Sequence, residues 1–415
     1  MKGFADAAAL ESALALLHDA ELMEFVQEHQ HNYLYRADFM KEPMPGDADP
    51  ALMWELVSFV RRMAGRPTVR ELNKSQPIGR QCFWTATPEM IAGLNDIVSR
   101  SNPSAQLTQS LARLSTRPAI QQLALEELEA AGYRDGVDVE HEELREIVCD
   151  KRAPETPEER LFANARELIE EIEELASEPF NVELIAYMHE RLALDTKGLR
   201  VEPRPSPAPK TSVPSPPSDQ LLESIVAGCE NPCLWGPHPL FGALINADTI
   251  WVTPAFERFN GLMELLIRWR SYYAIGVPAL RFVPLSKMRL DWERRLVGPP
   301  DAPMRYGEAL VVSSFGVDST PYSQQMIHFL DRGLNRLERI VARTEEIGER
   351  CKHLIFEDRR LTLRQKQLLA DLVDNPLLVV DVGMYEKRFD IAASTARADL
   401  TRLVSVSYTH LTLPT

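Results

Sequence analysis

Helix punctuation constrains this chain more than any other feature of its sequence. Thr87 followed by Pro88 places a hydroxyl cap and a first-turn proline before EMIAGLNDIV, and Thr156, Pro157 and Glu159 spell a capping box before ERLFANARELIEEIEEL. Asn181 caps VELIAYMHERLAL, where Leu184, Met188 and Leu192 share one face, and Gly198 follows as a stop. A helix is predicted from Phe259 to Ile275, ending at Gly276. A long charged helix is predicted from about Tyr322 to Leu354, with Ile327, Leu330, Leu334, Leu337 and Val341 as its apolar stripe. Strand signals are few and short, so the expected class is mainly α.

With 415 residues, 45% hydrophobic and 26% charged, the chain has enough material for two or three domains that each bury a core. A formal net charge of -15 argues against coating nucleic acid or anionic membrane along the whole length, and leaves room for a local basic face. Asp6, Glu11, Asp19, Glu21 and Glu24 interrupt every apolar run near the N-terminus. No secretory signal or membrane partner is therefore expected, and the chain reads as cytoplasmic. Its five cysteines form no paired framework, which suits a reducing compartment. Cys229 and Cys233 have no second Cys pair or His cluster to complete a tetrahedral site, so buried thiols are favoured over metal ligands and no metal site is predicted. Residues 202–217, EPRPSPAPKTSVPSPP, read as an extended spacer in preference to a docking site for a proline-recognising domain.

The stretch from Gly236 to Lys287, GPHPLFGALINADTIWVTPAFERFNGLMELLIRWRSYYAIGVPALRFVPLSK, resembles the core of a Fic domain. Fic proteins mostly move AMP from ATP onto protein hydroxyls and carry H-P-F-x-D-G-N-G-R-x-x-R at this place. Upstream, ELNKSQPIGRQCFWTATPEMIAGLNDIVSR is similar to the N-terminal helical layer of the larger members. Downstream, AIGVPALRFVPLS looks like the segment after the active helix. The implied fold is a Fic-like helical bundle with an N-terminal helical layer and a C-terminal, truncated winged helix-turn-helix. The implied divisions are residues 1–110 for the helical layer, 111–356 for the core including the 202–217 connection, and 357–404 for the winged helix. Residues 405–415, SVSYTHLTLPT, resemble translated adapter sequence and are set aside as an artefact.

The family's chemistry needs a general base, a glycine-bearing helix N-terminus to hold phosphates, an acid to seat Mg²⁺, and arginines. Laid without a gap, the motif puts Thr253 at the histidine, Pro254 at the proline, Glu257 at the metal-binding acid, Gly261 at the first arginine and Glu264 at the second. With one inserted residue near Ala255, Phe256 takes the Phe position, Asn260 and Gly261 become the N-G pair, and Leu262 replaces the first arginine. Neither placement restores the catalytic set, and there is no histidine between Pro239 and Ile327. Thr253, Glu257, Asn260, Gly261 and Glu264 are thus vestigial motif positions, with Glu264 expected to repel a triphosphate. His189, at a place where the family often has a non-catalytic histidine, is read as structural. An inhibitory helix, S/T-x-x-x-E-G, corresponds to LEAAGYRDGVDVE, with Ala131 at the Ser/Thr and Asp135-Gly136 at the E-G. The joint change of motif and inhibitor is expected to mark a site that needs no restraint.

In the last region, three short helical segments end with STARADL, spaced as a helix-turn-helix and similar to the winged-helix module appended to many Fic proteins. The resemblance implies that Ser394, Thr395, Arg397 and Arg402 meet DNA, with Lys387 and Arg388 close by. Packing against protein alone is the other reading, because Asp371, Asp374, Asp381, Asp390 and Asp399 keep the region from being strongly basic. Two functions are carried forward. One is a non-catalytic scaffold that regulates or binds an unknown protein partner and DNA, with a homodimer as one expected assembly. The other is a divergent enzyme that uses ATP and Mg²⁺ to transfer AMP or another phosphate-containing group.

Overall fold

The computed structural model describes residues 19–32, 34, 36–71, 81–199, 201, 218–230, 238–252, 255–296, 318, 320–374, 378 and 380–407. Thr253, Pro254 and the proline-rich 202–217 stretch lie outside them. The described residues are mainly α-helical and divide into two compact units, residues 1–105 with 123–334, and residues 106–122 with 335–415. Among the described residues, no helix is long and apolar enough to cross a membrane.

Helices α1 (Ala20–His31) and α2 (Pro50–Ala64) open the first unit and bury Leu22, Val26, Phe39, Met53, Leu56 and Val57 in a cluster of their own. A two-stranded antiparallel hairpin follows, β1 (Arg66–Glu71) with β2 (Gln81–Trp84), pairing Arg66 with Trp84 and Pro67 with Phe83. The segment likened to a helical layer therefore begins in strands, and becomes helical only at α3 (Pro88–Ser101). Pro67 is tolerated because a two-stranded hairpin has only edge strands. The chain then runs through α4 (Gln106–Leu114), α5 (Pro118–Arg134), α6 (His141–Val148), α7 (Pro157–Glu170), α8 (Ile172–Ser177) and α9 (Val182–Ala193). Beyond these come α10 (Ser218–Glu230), α11 (Pro239–Val252), α12 (Asn260–Ala274) and α13 (Leu285–Leu296). Long α14 (Thr320–Glu357) leads to α15 (Leu363–Asp374), α16 (Val382–Phe389) and α17 (Ala393–Ser407).

The caps form as their residues dictate. Thr87 accepts from Met90 N and Asn181 from Leu184 N, which satisfies N–H groups that the first helical turn leaves unpaired. At Thr156 the box closes one residue early. Its hydroxyl accepts from Glu159 N at 3.2 Å, but the Glu159 carboxylate reaches Glu155 N at 2.6 Å and pairs with Arg152 at 2.7 Å. The stripe of α14 is buried as its spacing requires, with Leu330, Leu334 and Leu337 fully inside.

Helix α12 is the centre of the first unit, and every residue from Asn260 to Tyr272 is buried. A helix apolar all round can sit there, yet this one carries Glu264, Arg268 and Arg270, whose charges need partners inside the protein. Arg270 finds the carbonyls that end α8: its Nε donates to Leu175 O at 3.2 Å, and its Nη2 to Ala176 O and Glu178 O. Buried Asn164 does the same for α9, donating to Leu192 O at 3.0 Å and Leu194 O at 2.7 Å. Asn164→Leu leaves both carbonyls without these bonds. A loss of about 1–3 kcal/mol is expected, read as a lower midpoint in chemical denaturation.

Candidate functional site

The site is built where the end of α5 meets the start of α12. Helix α5 closes in a Schellman arrangement, with Val137 N donating to Gly132 O, Gly136 N donating to Tyr133 O, and Gly136 left-handed at φ 82. That turn leaves Asp135 at the helix end with its side chain directed at α12. Asp135 is only 2% exposed, and its two carboxylate oxygens accept from Gly261 N at 2.7 Å and Leu262 N at 2.9 Å. A helix N-terminus offers unpaired N–H groups and the positive end of the macrodipole, which favour the ionised carboxylate against the burial that opposes it.

Gly261 is required by this contact. A Cβ added at Gly261 would lie 2.5 Å from Ala131 O and 3.2 Å from Asp135 Oδ2, closer than packed atoms sit. Ala131 is fully buried and supplies the backbone carbonyl that sets this limit. Ala131 and Asp135 therefore meet Gly261, and Gly136 makes the turn that places Asp135. The first two N–H groups of α12 are thereby engaged by a side chain of the chain itself.

The preceding loop is pinned from several sides. Asn260 Oδ1 accepts from Ala255 N at 3.0 Å and Phe256 N at 2.9 Å, while its Nδ2 donates to Phe256 O at 2.7 Å. His189 stacks on Phe256 with ring centroids 4.1 Å apart, and its Nε2 donates to Arg258 O at 3.2 Å. Burial pushes the His189 imidazole below its ordinary pKa, as expected of a histidine used as a neutral donor. Phe259, left-handed at φ 67, is fully buried and starts α12. Glu257 is exposed on this loop, away from the buried face.

Glu264 is paired within its own helix, and its charge adds to burial in raising the pKa of the nearby Asp135 carboxyl. It is buried and receives Arg268 Nε at 2.8 Å, one turn along the same helix. Arg268 Nη2 donates to Glu127 Oε1 at 2.6 Å and to Ser286 Oγ at 2.7 Å. Glu127, fully buried on α5, also accepts Ser286 N at 2.7 Å at the start of α13. Burial works against the Arg268 charge, but the pull of Glu264 and Glu127 outweighs it and holds its pKa well above the arginine value. The Glu264–Arg268 spacing of four residues was visible in the sequence. Glu127 carried no signal, because its partners lie far along the chain.

The cavity beside Glu264, Arg268 and Ser286 is about 10 Å³, room for about one water. A second, lined by Glu129, Tyr133, Asp138, Phe162 and Lys287, is about 70 Å³. Cofactor-sized pockets are about 300–1,000 Å³. Among the described residues, no group of three or more His, Cys, Asp or Glu side chains is placed to hold a metal ion.

In the second unit, α15, α16 and α17 pack around Leu361, Leu368, Tyr385, Ala396 and Leu403. Ser394, Thr395, Arg397 and Arg402 are exposed on α17, as are Lys387 and Arg388 at the end of α16, where Arg388 pairs with Asp371. No protein-family model matches the chain, and no curated protein does. Among solved structures, the chain is similar to a Fic family protein from Desulfovibrio desulfuricans G20 at 20% identity and a TM-score of 0.44, over 61% of this chain and 75% of that one.

Two outcomes test the site. Burial pushes the Asp135 carboxyl up to about 7, against the opposing N–H groups of Gly261 and Leu262 and the charge of Arg134. Between pH about 4 and 7 the folded protein then keeps a proton that the unfolded chain has released, so this group's contribution is full below that window and declines as pH rises through it. The stability difference between the natural chain and Asp135→Asn, measured by denaturation at a series of pH values, should fall across the window. Separately, Arg268→Met strands two buried carboxylates and is expected to cost about 3–5 kcal/mol. Adding Glu127→Gln and Glu264→Gln should recover much of it.

Proposed function

We propose that this chain is a Fic-like protein that does not transfer AMP and works as a regulatory or partner-binding scaffold, with a DNA-binding helix-turn-helix in its C-terminal unit. The observation that carries this reading is the Asp135 carboxylate on Gly261 N and Leu262 N, the pair of donors that a phosphate would need at this helix start. The helix beginning at Asn260 favours the placement in which Asn260 and Gly261 are the N-G pair. Leu262 then stands at the first arginine and is fully buried in the core. No histidine lies between Pro239 and Ile327 to act as general base, a loss of about 10²- to 10⁴-fold on its own. The retained residues serve packing, and the changed ones are those that chemistry would need. A winged helix, DNA as partner and a cytoplasmic setting belong to the same reading.

The divergent-enzyme reading is favoured by one observation, the exposed Glu257 carboxylate on the loop before α12. On that reading ATP and Mg²⁺ are the cofactors and Glu257 seats the metal. The two separate in one set of assays. Incubated with labelled ATP, Mg²⁺ and candidate protein substrates, the natural chain and Asp135→Ala are both expected to transfer no AMP, and calorimetric titration of the natural chain with Mg-ATP should be flat. AMP transfer that disappears in Glu257→Ala would establish the enzyme instead.

A further inference from the structure

Resting on the partner-binding reading, we propose that the cavity between α5, α6, α7 and α13 receives the side chain of a lysine or arginine presented by a protein partner. The cavity is about 70 Å³, far below the space a nucleotide needs and in keeping with part of one long side chain. Its walls are apolar and come from separate elements: Val137 just beyond α5, Leu144 on α6, Phe162 on α7 and Leu290 on α13, all buried. These walls are set before any partner arrives. Val137 N donates to Gly132 O at 2.9 Å, and a Cβ added at Gly132 would lie 2.4 Å from Phe162 Cζ, so the ring is seated against the bare backbone of α5. A preformed wall spares the ordering cost that weakens binding.

The rim is acidic. Glu129, about half exposed, and Asp138, exposed, line the cavity together with Lys287. Lys287 does not cancel them, because its Nζ donates at 2.5 Å to Asp291, one turn along α13. His141 Nδ1 lies 3.4 Å from Glu129 Oε2 at the same edge. Apolar walls under a carboxylate rim fit a side chain with an aliphatic stem and a charged donor at its tip. A carboxylate would meet like charge there, and a wholly apolar side chain would cover the rim carboxylates without giving them a donor. Charge acts at longer range in the same sense. Residues 106–122 and 335–415 carry 15 Lys and Arg against 12 Asp and Glu, a net charge of +3, which leaves -18 for the unit that holds the cavity. A field of that sign steers a basic partner surface toward the rim.

The test uses the full chain, immobilised, and a display library of random-sequence peptides, with the affinity of each selected peptide then measured by fluorescence anisotropy. Selected peptides should share a lysine or arginine whose replacement by alanine weakens binding about 10-fold or more. Glu129→Gln and Asp138→Asn, both at exposed positions, should each weaken the peptide roughly 3- to 10-fold, while Glu183→Gln, which removes an equal charge from α9 outside the cavity, should change it less than about 2-fold. Peptides that bind without a basic residue, or that ignore both rim variants, overturn the cavity assignment while partner binding stands. N-acetylarginine amide binding as tightly as the peptide would make the occupant a small cation, and self-association lost in Glu129→Gln would make it a second copy; either overturns the assignment. No enrichment over the bare support also overturns it, whereas the scaffold reading itself falls to AMP transfer by the natural chain.

Discussion

Two carboxylates on α5 fasten the first unit to its central helix. Asp135 binds the backbone at the N-terminus of α12, and Glu127, two turns earlier on α5, binds Arg268, two turns into α12. The helices are held antiparallel at two points, and the spacing on each matches the other. The upper point uses the N–H groups of the first turn, which have no partner within the helix. The lower point satisfies a guanidinium that would otherwise be stranded in a helix buried on all sides. Other features of the site follow from this fastening. Gly261 must lack a side chain because α5 comes so close, and the Asn260 loop must be tied down because Phe259 turns left-handed to begin the helix.

The same fastening bears on chemistry. A helix start with exposed N–H groups is a general solution for phosphates, but here the donors are engaged at 2.7 and 2.9 Å by a side chain of the chain itself. Glu264 is held by Arg268 on the same helix, and its charge still opposes ionisation of Asp135. The result is a frame with the anion position filled from within and about 10 Å³ left beside the charged network.

Electrostatics divides the chain more sharply than its overall charge suggests. Acidic side chains dominate the first unit, while the second is slightly basic. In the second unit, buried polar contacts again set helix placement, through Asp399 with Arg364, Gln365 and Tyr385. Aspartates in this stretch that lower its apparent basicity are largely spent on structure. Asp381 caps a helix, Asp399 joins three, and Asp371 pairs with Arg388. Counting charges along the sequence could not reveal this.

The sequence by itself determined the helices and their ends, because a cap or an apolar period acts within a few residues. Thr87, Asn181, Gly276 and the Leu330–Leu337 stripe are all used as their local chemistry requires. It also showed that Asp135-Gly136 and Asn260-Gly261 were positions of interest. Only the tertiary structure decided what they do. Whether Asp135 caps α12, and whether Arg268 finds Glu127, depends on groups more than a hundred residues apart that meet only when α5 packs on α12. The strand pair Arg66–Glu71 with Gln81–Trp84 was missed for the same reason: its strands are short, and their pairing partners lie beyond the reach of any local period.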